Sequence, residues 1–221
     1  MKTIYFAGDL FDHKHITGNL LLAQAIEKLS DNYYTCILPQ KWENKLQKTE
    51  DIRNKDVAAI IRSDLILLNF DGTDLDSGTV VEFVIAKMLD IPAVLLRTDF
   101  RNGAYLFGQD WNNMLTGFPR CSTIKHPALT MCQEMEIEKY HETVAQSIID
   151  AFEDLTQQKS LFTSQEEITS AYQHVIKMCG KEFEKMFPLN DLHKIINAKL
   201  EKDMDTQQKN ISSKLQQQTR I

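Results

Sequence analysis

Short apolar runs alternate along the chain with segments whose apolar residues recur at helical spacing, and the alternation carries through the first two-thirds of the sequence. Thr3–Ala7 (TIYFA) is β-branched and aromatic and stops at Gly8, which predicts a strand. Asn19–Leu29 carries Leu21, Leu22, Ala25, Ile26 and Leu29 at helical spacing. Tyr34–Leu38 predicts a second strand, ended by Pro39, and Asp51–Arg62 a helix with Val57, Ile60 and Ile61 as its apolar positions. Asp64–Phe70 (DLILLNF) is continuously apolar, as a strand covered on both faces must be. Gly78–Asp90 repeats apolar pairs at Val80/Val81, Val84/Ile85 and Met88/Leu89, which predicts an amphipathic helix, and Pro92–Arg97 predicts another buried strand. Ile137–Leu155 predicts a further amphipathic helix. Strands alternating with helices of this length build βαβ units and a parallel sheet. In such sheets ligands sit beyond the carboxyl ends of the strands, so chemistry is expected after Ala7, Leu38 and Phe70.

After Gln157 the character changes. Ser164–Phe187 and Leu189–Met204 predict helices separated by Pro188, whereas Asp205–Ile221 is polar without a periodic apolar face and predicts a frayed or disordered end. The chain thus divides into an α/β domain over residues 1–157 and a helical C-terminal extension over 158–221 that suggests no chemistry of its own. A net charge of −6 provides no whole-molecule attraction to nucleic acid or anionic lipid. Cys36, Cys121, Cys132 and Cys179 form no CxxC pair, which argues against a zinc site or a disulfide framework. The longest apolar run is too short to span a membrane, and the opening MKTIYFAGDLF lacks the apolar length and cleavage site of a signal peptide. A cytoplasmic protein with neither nucleic-acid nor membrane partners is expected.

The densest polar cluster joins a buried strand to a helix: Phe70-Asp71-Gly72-Thr73-Asp74-Leu75-Asp76-Ser77-Gly78-Thr79-Val80-Val81-Glu82. Spacing alone leaves two readings open. Thr79-Val80-Val81-Glu82 fits a capping box, with Thr79 as N-cap and Glu82 folded back onto it, and Asp71-Gly72 fits an ordinary turn. That is the reading spacing alone favours; Asp71, Asp74 and Asp76 with Glu82, crowded carboxylates at a strand's carboxyl end where functional groups gather, keep the functional reading open. Asp9, Asp12, His13 and His15 share one loop but show no recognised metal spacing. Gly8 opens no GxGxxG run. Lys41-Trp42 is expected to be solvated surface, and Met131, Met135 and Met178 to be core fillers.

The loops taken in order resemble the nucleoside 2-deoxyribosyltransferase family. The resemblance rests on Ile4-Tyr5-Phe6-Ala7-Gly8 with Leu10-Phe11, Leu38-Pro39-Gln40, Asp56 ahead of Asp64, and Asp76-Ser77-Gly78-Thr79-x-x-Glu82. It implies a flavodoxin-like or Rossmann-like doubly wound parallel sheet. It also implies that Glu82 is a nucleophile attacking the anomeric carbon of a 2′-deoxynucleoside, that Tyr5 orients it, and that Asp56 is the general acid and base. By the same resemblance Gln40 reads the base edge, Phe11 stacks on the base and Asp76 binds the sugar's 5′ hydroxyl, with Gly8 and Ser77 in the same substrate-binding set. Family members complete the pocket from a neighbouring subunit with an Asn-x-Met element, matched by Asn112-Asn113-Met114, so Asn112 (or Asn113) would reach the sugar and Met114 would line the base.

The expected function is base exchange on 2′-deoxynucleosides through a covalent deoxyribosyl-glutamate, in nucleoside salvage, by a homo-oligomer with shared active sites and with no cofactor or metal. Its small-molecule partners are deoxynucleosides and free nucleobases. Related nucleotide hydrolases carry a small hydroxyl residue where this chain has Asp76, which favours nucleosides over nucleotides; Ser77 beside it keeps the other choice open. An N-glycosidic hydrolase and a non-catalytic nucleotide-binding module are the competing expectations. The sequence departs from the family at Asp9, where proline is frequent.

Overall fold

The computed structural model describes residues 1–42, 48–99 and 111–218, without the side chains of 204–218. The apolar runs become parallel strands: β1 (Lys2–Gly8), β2 (Tyr34–Ile37), β3 (Leu65–Asn69), β4 (Ala93–Arg97) and β5 (Cys121–Lys125). They hydrogen-bond in the order β2-β1-β3-β4-β5, and every pairing is parallel. This is the flavodoxin-like doubly wound order, whose switch point lies between β1 and β3. Helices α1 (His13–Leu29), α2 (Thr49–Arg62), α3 (Ser77–Met88), α4 (Ala128–Glu134) and α5 (Ile137–Gln157) connect and cover the sheet, and a short 3₁₀ turn (Pro39–Lys41) follows β2.

Strand alternation assigns the two faces. Ile4, Phe6, Leu65, Leu67, Val94 and Leu96 pack with Leu22 and Ile26 of α1 and Val144, Ile148 and Phe152 of α5 in one cluster. The intervening residues, among them Tyr5, Ile66 and Leu68, are buried on the opposite face, where α3 packs on β1, β3 and β4 and beside α2. β5 was not anticipated, because CSTIK is half polar and only Ile124 among its residues is buried. α1 begins earlier than its apolar pattern, since Asp12 caps it by accepting from the backbone N–H groups of Lys14 and His15.

Cα packing divides the chain into Met1–Leu155 and Thr156–Ile221. The second unit holds α6 (Gln165–Met178), α7 (Lys181–Glu184) and α8 (Leu189–Gln218) around Tyr172, Val175, Ile176, Phe183, Phe187, Leu192 and Ile196. The helix expected over Ser164–Phe187 is broken at Gly180, whose φ of +99° leaves the helical region. The frayed end expected from Asp205 is corrected as well. α8 continues as helix to Gln218, because Leu189–Gln218 contains neither glycine nor proline and is rich in Gln, Lys and Leu. Met178, expected in the core, is 56% exposed, whereas Met131 and Met135 pack against the core.

Candidate active site

At the switch point the carboxyl ends of β1 and β3 meet as the pair Gly8 and Asn69. Gly8 has φ +156°, and a Cβ there would stand 3.1 Å from both the Cβ and the carbonyl oxygen of Asn69. A side chain there would be strained by that φ and would press on Asn69, so glycine suits this close approach of the two strand ends. Asn19 is buried on α1 and bridges the two loops: its Nδ2 donates to the Asp9 carbonyl (3.1 Å), and its Oδ1 accepts from Asn69 Nδ2 (3.1 Å). Asn69 Oδ1 in turn accepts from the Asp71 N–H at 3.1 Å. This amide ladder sets the β1 and β3 loops relative to each other. Neither asparagine was singled out from the sequence, although Asn19 occupies the helical face of Leu22 and Ile26, where a polar residue requires a partner.

The entry to α3 overturns the capping-box reading. The N-cap is Asp76, whose Oδ2 accepts from the backbone N–H and from the hydroxyl of Thr79, both at 2.7 Å. Thr79 lies inside the helix and is buried. Glu82 is thereby released from any capping duty. It sits half-buried on α3, and its Oε1 accepts from the hydroxyl of Tyr5 at 2.5 Å. Tyr5 is fully buried on β1, and strand alternation turns its ring to the α3 side of the sheet. A short bond from a buried phenol holds this carboxylate in one orientation at the carboxyl end of the sheet.

Of the three aspartates in the loop, Asp71 is a clamp between loops. Its carboxylate accepts from the N–H of Thr98 (2.5 Å), the hydroxyl of Thr98 (2.6 Å) and the N–H of Asp99 (2.9 Å). Buried Arg97 secures the same loop by donating to the carbonyls of Phe70 (2.5 Å) and Gly72 (3.3 Å). Trp111 is buried against both: its ring centroid lies 5.3 Å from the Arg97 guanidinium and 5.3 Å from the Phe70 ring. Asp74 is exposed.

Gln40 stands in the turn after β2 and donates through Nε2 to the Ile16 carbonyl of α1 at 3.0 Å, so that part of its amide is engaged within the protein. Asp56 is half-buried on α2. Its Oδ1 accepts from the indole N–H of Trp42 at 3.2 Å, and Lys55 Nζ lies 5.2 Å from the Trp42 ring centroid. Trp42, expected as solvated surface, is therefore half-buried against a predicted site residue. Phe11 and Met114 are 77% and 79% exposed, and Ser77 is exposed at the start of α3. Asn112 Oδ1 accepts from the Met114 N–H at 2.9 Å, while Asn113 is exposed. The sequence predicts an irregular segment over Phe100–Cys121, of which residues 100–110 lie outside the described residues. The structure thus joins Tyr5 to Glu82 directly, sets Asp76 at the head of the same helix, places Gly8 at the switch point, and holds Asp56 through Trp42 on the neighbouring helix.

In the β1 loop the Asp12 carboxyl is lowered from its usual value, chiefly because it accepts the His15 backbone N–H. His15 Nδ1 lies 3.1 Å from Asp12 Oδ2 and 3.8 Å from Asp9 Oδ2. Among the described residues no group of three or more His, Cys, Asp or Glu is arranged to hold a metal ion.

The profile of the family described as Nucleoside 2-deoxyribosyltransferase matches residues 4–119, more than half of the chain. The chain belongs to this family. The matched stretch runs from within β1 through β4 and contains all the predicted site residues. No curated protein matches the sequence. Among solved structures, a conserved protein from Enterococcus faecalis V583 is similar at 22% identity and a TM-score of 0.52, covering 68% of this chain and 98% of its own. That likeness supports the fold. A 2-desoxiribosyltransferase from Leishmania mexicana matches at 24% identity, TM-score 0.44, over 53% of this chain and 87% of its own. A 2-deoxyribosyltransferase from Bacillus psychrosaccharolyticus matches at 20% identity, TM-score 0.38, over 52% and 91%. In this deoxyribosyltransferase-family chain no helix among the described residues is long and apolar enough to cross a membrane.

Proposed function

We propose that this protein exchanges the base of 2′-deoxynucleosides, using Glu82 as the nucleophile. A Glu82 oxygen bonds to C1′ as the C1′–N bond breaks, and the departing base takes the electron pair and a proton from the Asp56 carboxyl. A nitrogen of the incoming base then attacks C1′, Asp56 takes its proton, and the ester bond breaks to restore the Glu82 carboxylate. Two inversions yield net retention. The observation that carries this reading is the 2.5 Å bond from buried Tyr5 to Glu82 at the switch point.

Asp76 favours nucleosides over 5′-nucleotides. A helix N-terminus is a ready phosphate site, but here the Asp76 carboxylate already takes the Thr79 N–H and would repel a phosphate. The remaining roles follow the family: Gln40 at the base edge, Phe11 on the base face, Gly8 and Ser77 beside the sugar. Asn112 and Met114 would complete the pocket of a neighbouring subunit. An oligomer is supported by Val81, Val84 and Met88, which form an exposed apolar row on α3. Free cysteines, with Cys132 exposed, suit a reducing cytoplasmic compartment, and base exchange there would serve nucleoside salvage.

The test is incubation of deoxyinosine with adenine or cytosine, followed by chromatography. New deoxyadenosine or deoxycytidine is expected, and Glu82→Ala should reduce its formation by about a thousandfold or more while circular dichroism is unchanged. A slow 2-fluoro analogue should leave its sugar on the Glu82 peptide in mass spectrometry. Exchange at the wild-type rate in Glu82→Ala would sink the assignment. Free deoxyribose formed regardless of acceptor would identify a hydrolase, and substrate binding without turnover a sensing module.

A further inference from the structure

The turn that follows β2 carries two functional positions. It presents Gln40, and it ends on Trp42, whose backbone N–H donates to the Pro39 carbonyl at 3.0 Å. That closure directs the Trp42 side chain to α2, where the indole N–H meets Asp56 Oδ1 at 3.2 Å. Lys55, next to Asp56, holds its ammonium 5.2 Å from the centre of the same ring, a cation–π contact that restrains the indole from a second side. Indole is a donor with no acceptor capacity, so its bond is made to an oxygen lone pair and is strongest when the carboxyl is ionised.

We propose that Trp42 is a positioning residue for Asp56, fixing one carboxyl oxygen against the indole and tuning the proton exchange between Asp56 and the nucleobase. The inference rests on the reading of Asp56 as general acid and base. It adds that the same turn both contacts the base, through Gln40, and sets the group that protonates it, through Trp42. A shift of the turn on base binding is then transmitted to Asp56 without passing through the sheet.

A hydrogen bond to the ionised form favours that form, so removing the indole makes Asp56 hold its proton to higher pH. Among the described residues, the charged groups on the elements around Asp56 are Arg53 one turn earlier and Lys55 on α2, Lys41 on the turn, and Glu82 on α3, which packs beside α2; Lys87 of α3 is turned away, to the carbonyls of Ile91 and Arg120. All of them are retained in Trp42→Phe, so a change in the pH profile reports the indole.

The experiment compares wild type, Trp42→Phe and Asp56→Asn in base exchange from pH 5 to 9. It also follows the indole ¹⁵N–¹H signals of the wild-type protein over the same range, with Trp111 as internal reference. For Trp42→Phe the apparent pKa of the rate profile should rise by about 0.5–1 unit, with kcat reduced by about three- to thirtyfold and KM little changed. The Trp42 signal should titrate with the wild-type rate profile and lose that dependence in Asp56→Asn. A folded Trp42→Phe with an unmoved profile, or a Trp42 signal indifferent to pH and to Asp56→Asn, overturns the proposal. Should Trp42→Phe not fold, the indole titration decides alone. Undiminished exchange by Asp56→Asn overturns the reading of Asp56 itself, a result separate from either outcome for Trp42.

Discussion

Tyr5 occupies a strand position where its ring can turn only toward α3, and its hydroxyl ends on Glu82 at 2.5 Å. Tyr5→Phe keeps the ring in place and deletes the bond to Glu82. We expect kcat to fall by about ten- to a hundredfold in steady-state exchange assays, with KM little altered, as for loss of one charge-assisted hydrogen bond. Side chains outside the site also have testable chemistry. Burial pushes the Cys36 thiol up to about 12 and the Cys121 thiol up to about 11, whereas Cys132 is exposed. Iodoacetamide at pH 8 should therefore label Cys132 well before Cys36 or Cys121 in the native protein, as read by peptide mass spectrometry. At this scale the sequence was informative where a residue belonged to a local motif, as Tyr5 and Glu82 do. Asn19 and Asn69 are not singled out by the sequence, and Trp42 reads there as solvated surface, because their partners lie far along the chain and no local spacing encodes a bond from an indole to a carboxylate on the next helix.

Helix α3 shows how a local rule can fit in more than one register. Thr79 and Glu82 satisfy the capping-box spacing, and Asp76 and Thr79 satisfy an Asx cap. The second wins because Thr79 is buried and Glu82 is drawn to a strand residue. Asp76→Ala should destabilise the protein by about 1 kcal/mol in urea unfolding, the usual cost of losing an N-cap. The polar edge strand β5 was illegible for the opposite reason, since it has no apolar period to announce it. At its end His126 is partly buried, with Nε2 3.0 Å from Ser147 Oγ on α5, and burial holds its imidazole below the ordinary 6.5. The unfolded chain takes up this proton more readily than the folded one. The contribution of His126 to stability is therefore present above pH 6.5 and is lost as pH falls from there through the folded value. His126→Gln should flatten that part of a plot of urea midpoint against pH between 7 and 5.

At the level of the whole chain, the α/β alternation and the central strands β3 and β4 were legible because strands of a parallel sheet covered on both faces leave few polar positions to confuse the pattern. The second unit was legible as helical, but its break at Gly180 and the reach of α8 turned on one glycine conformation and on the absence of later breakers. The buried cluster around β1, α1 and α5 closes within residues up to Leu155. A chain stopped after Gln157 should accordingly keep a single cooperative unfolding transition and strand-containing circular dichroism. The two groups assigned to opposite ends of the scissile bond stand on unequal supports. Tyr5 aims its partner from a strand paired on both sides, to Ile37 and Ile66, while Gln40 and Trp42 belong to a three-residue turn and its cap. Laboratory evolution toward unnatural bases should therefore collect its tolerated changes around residues 39–42 and find almost none at position 5.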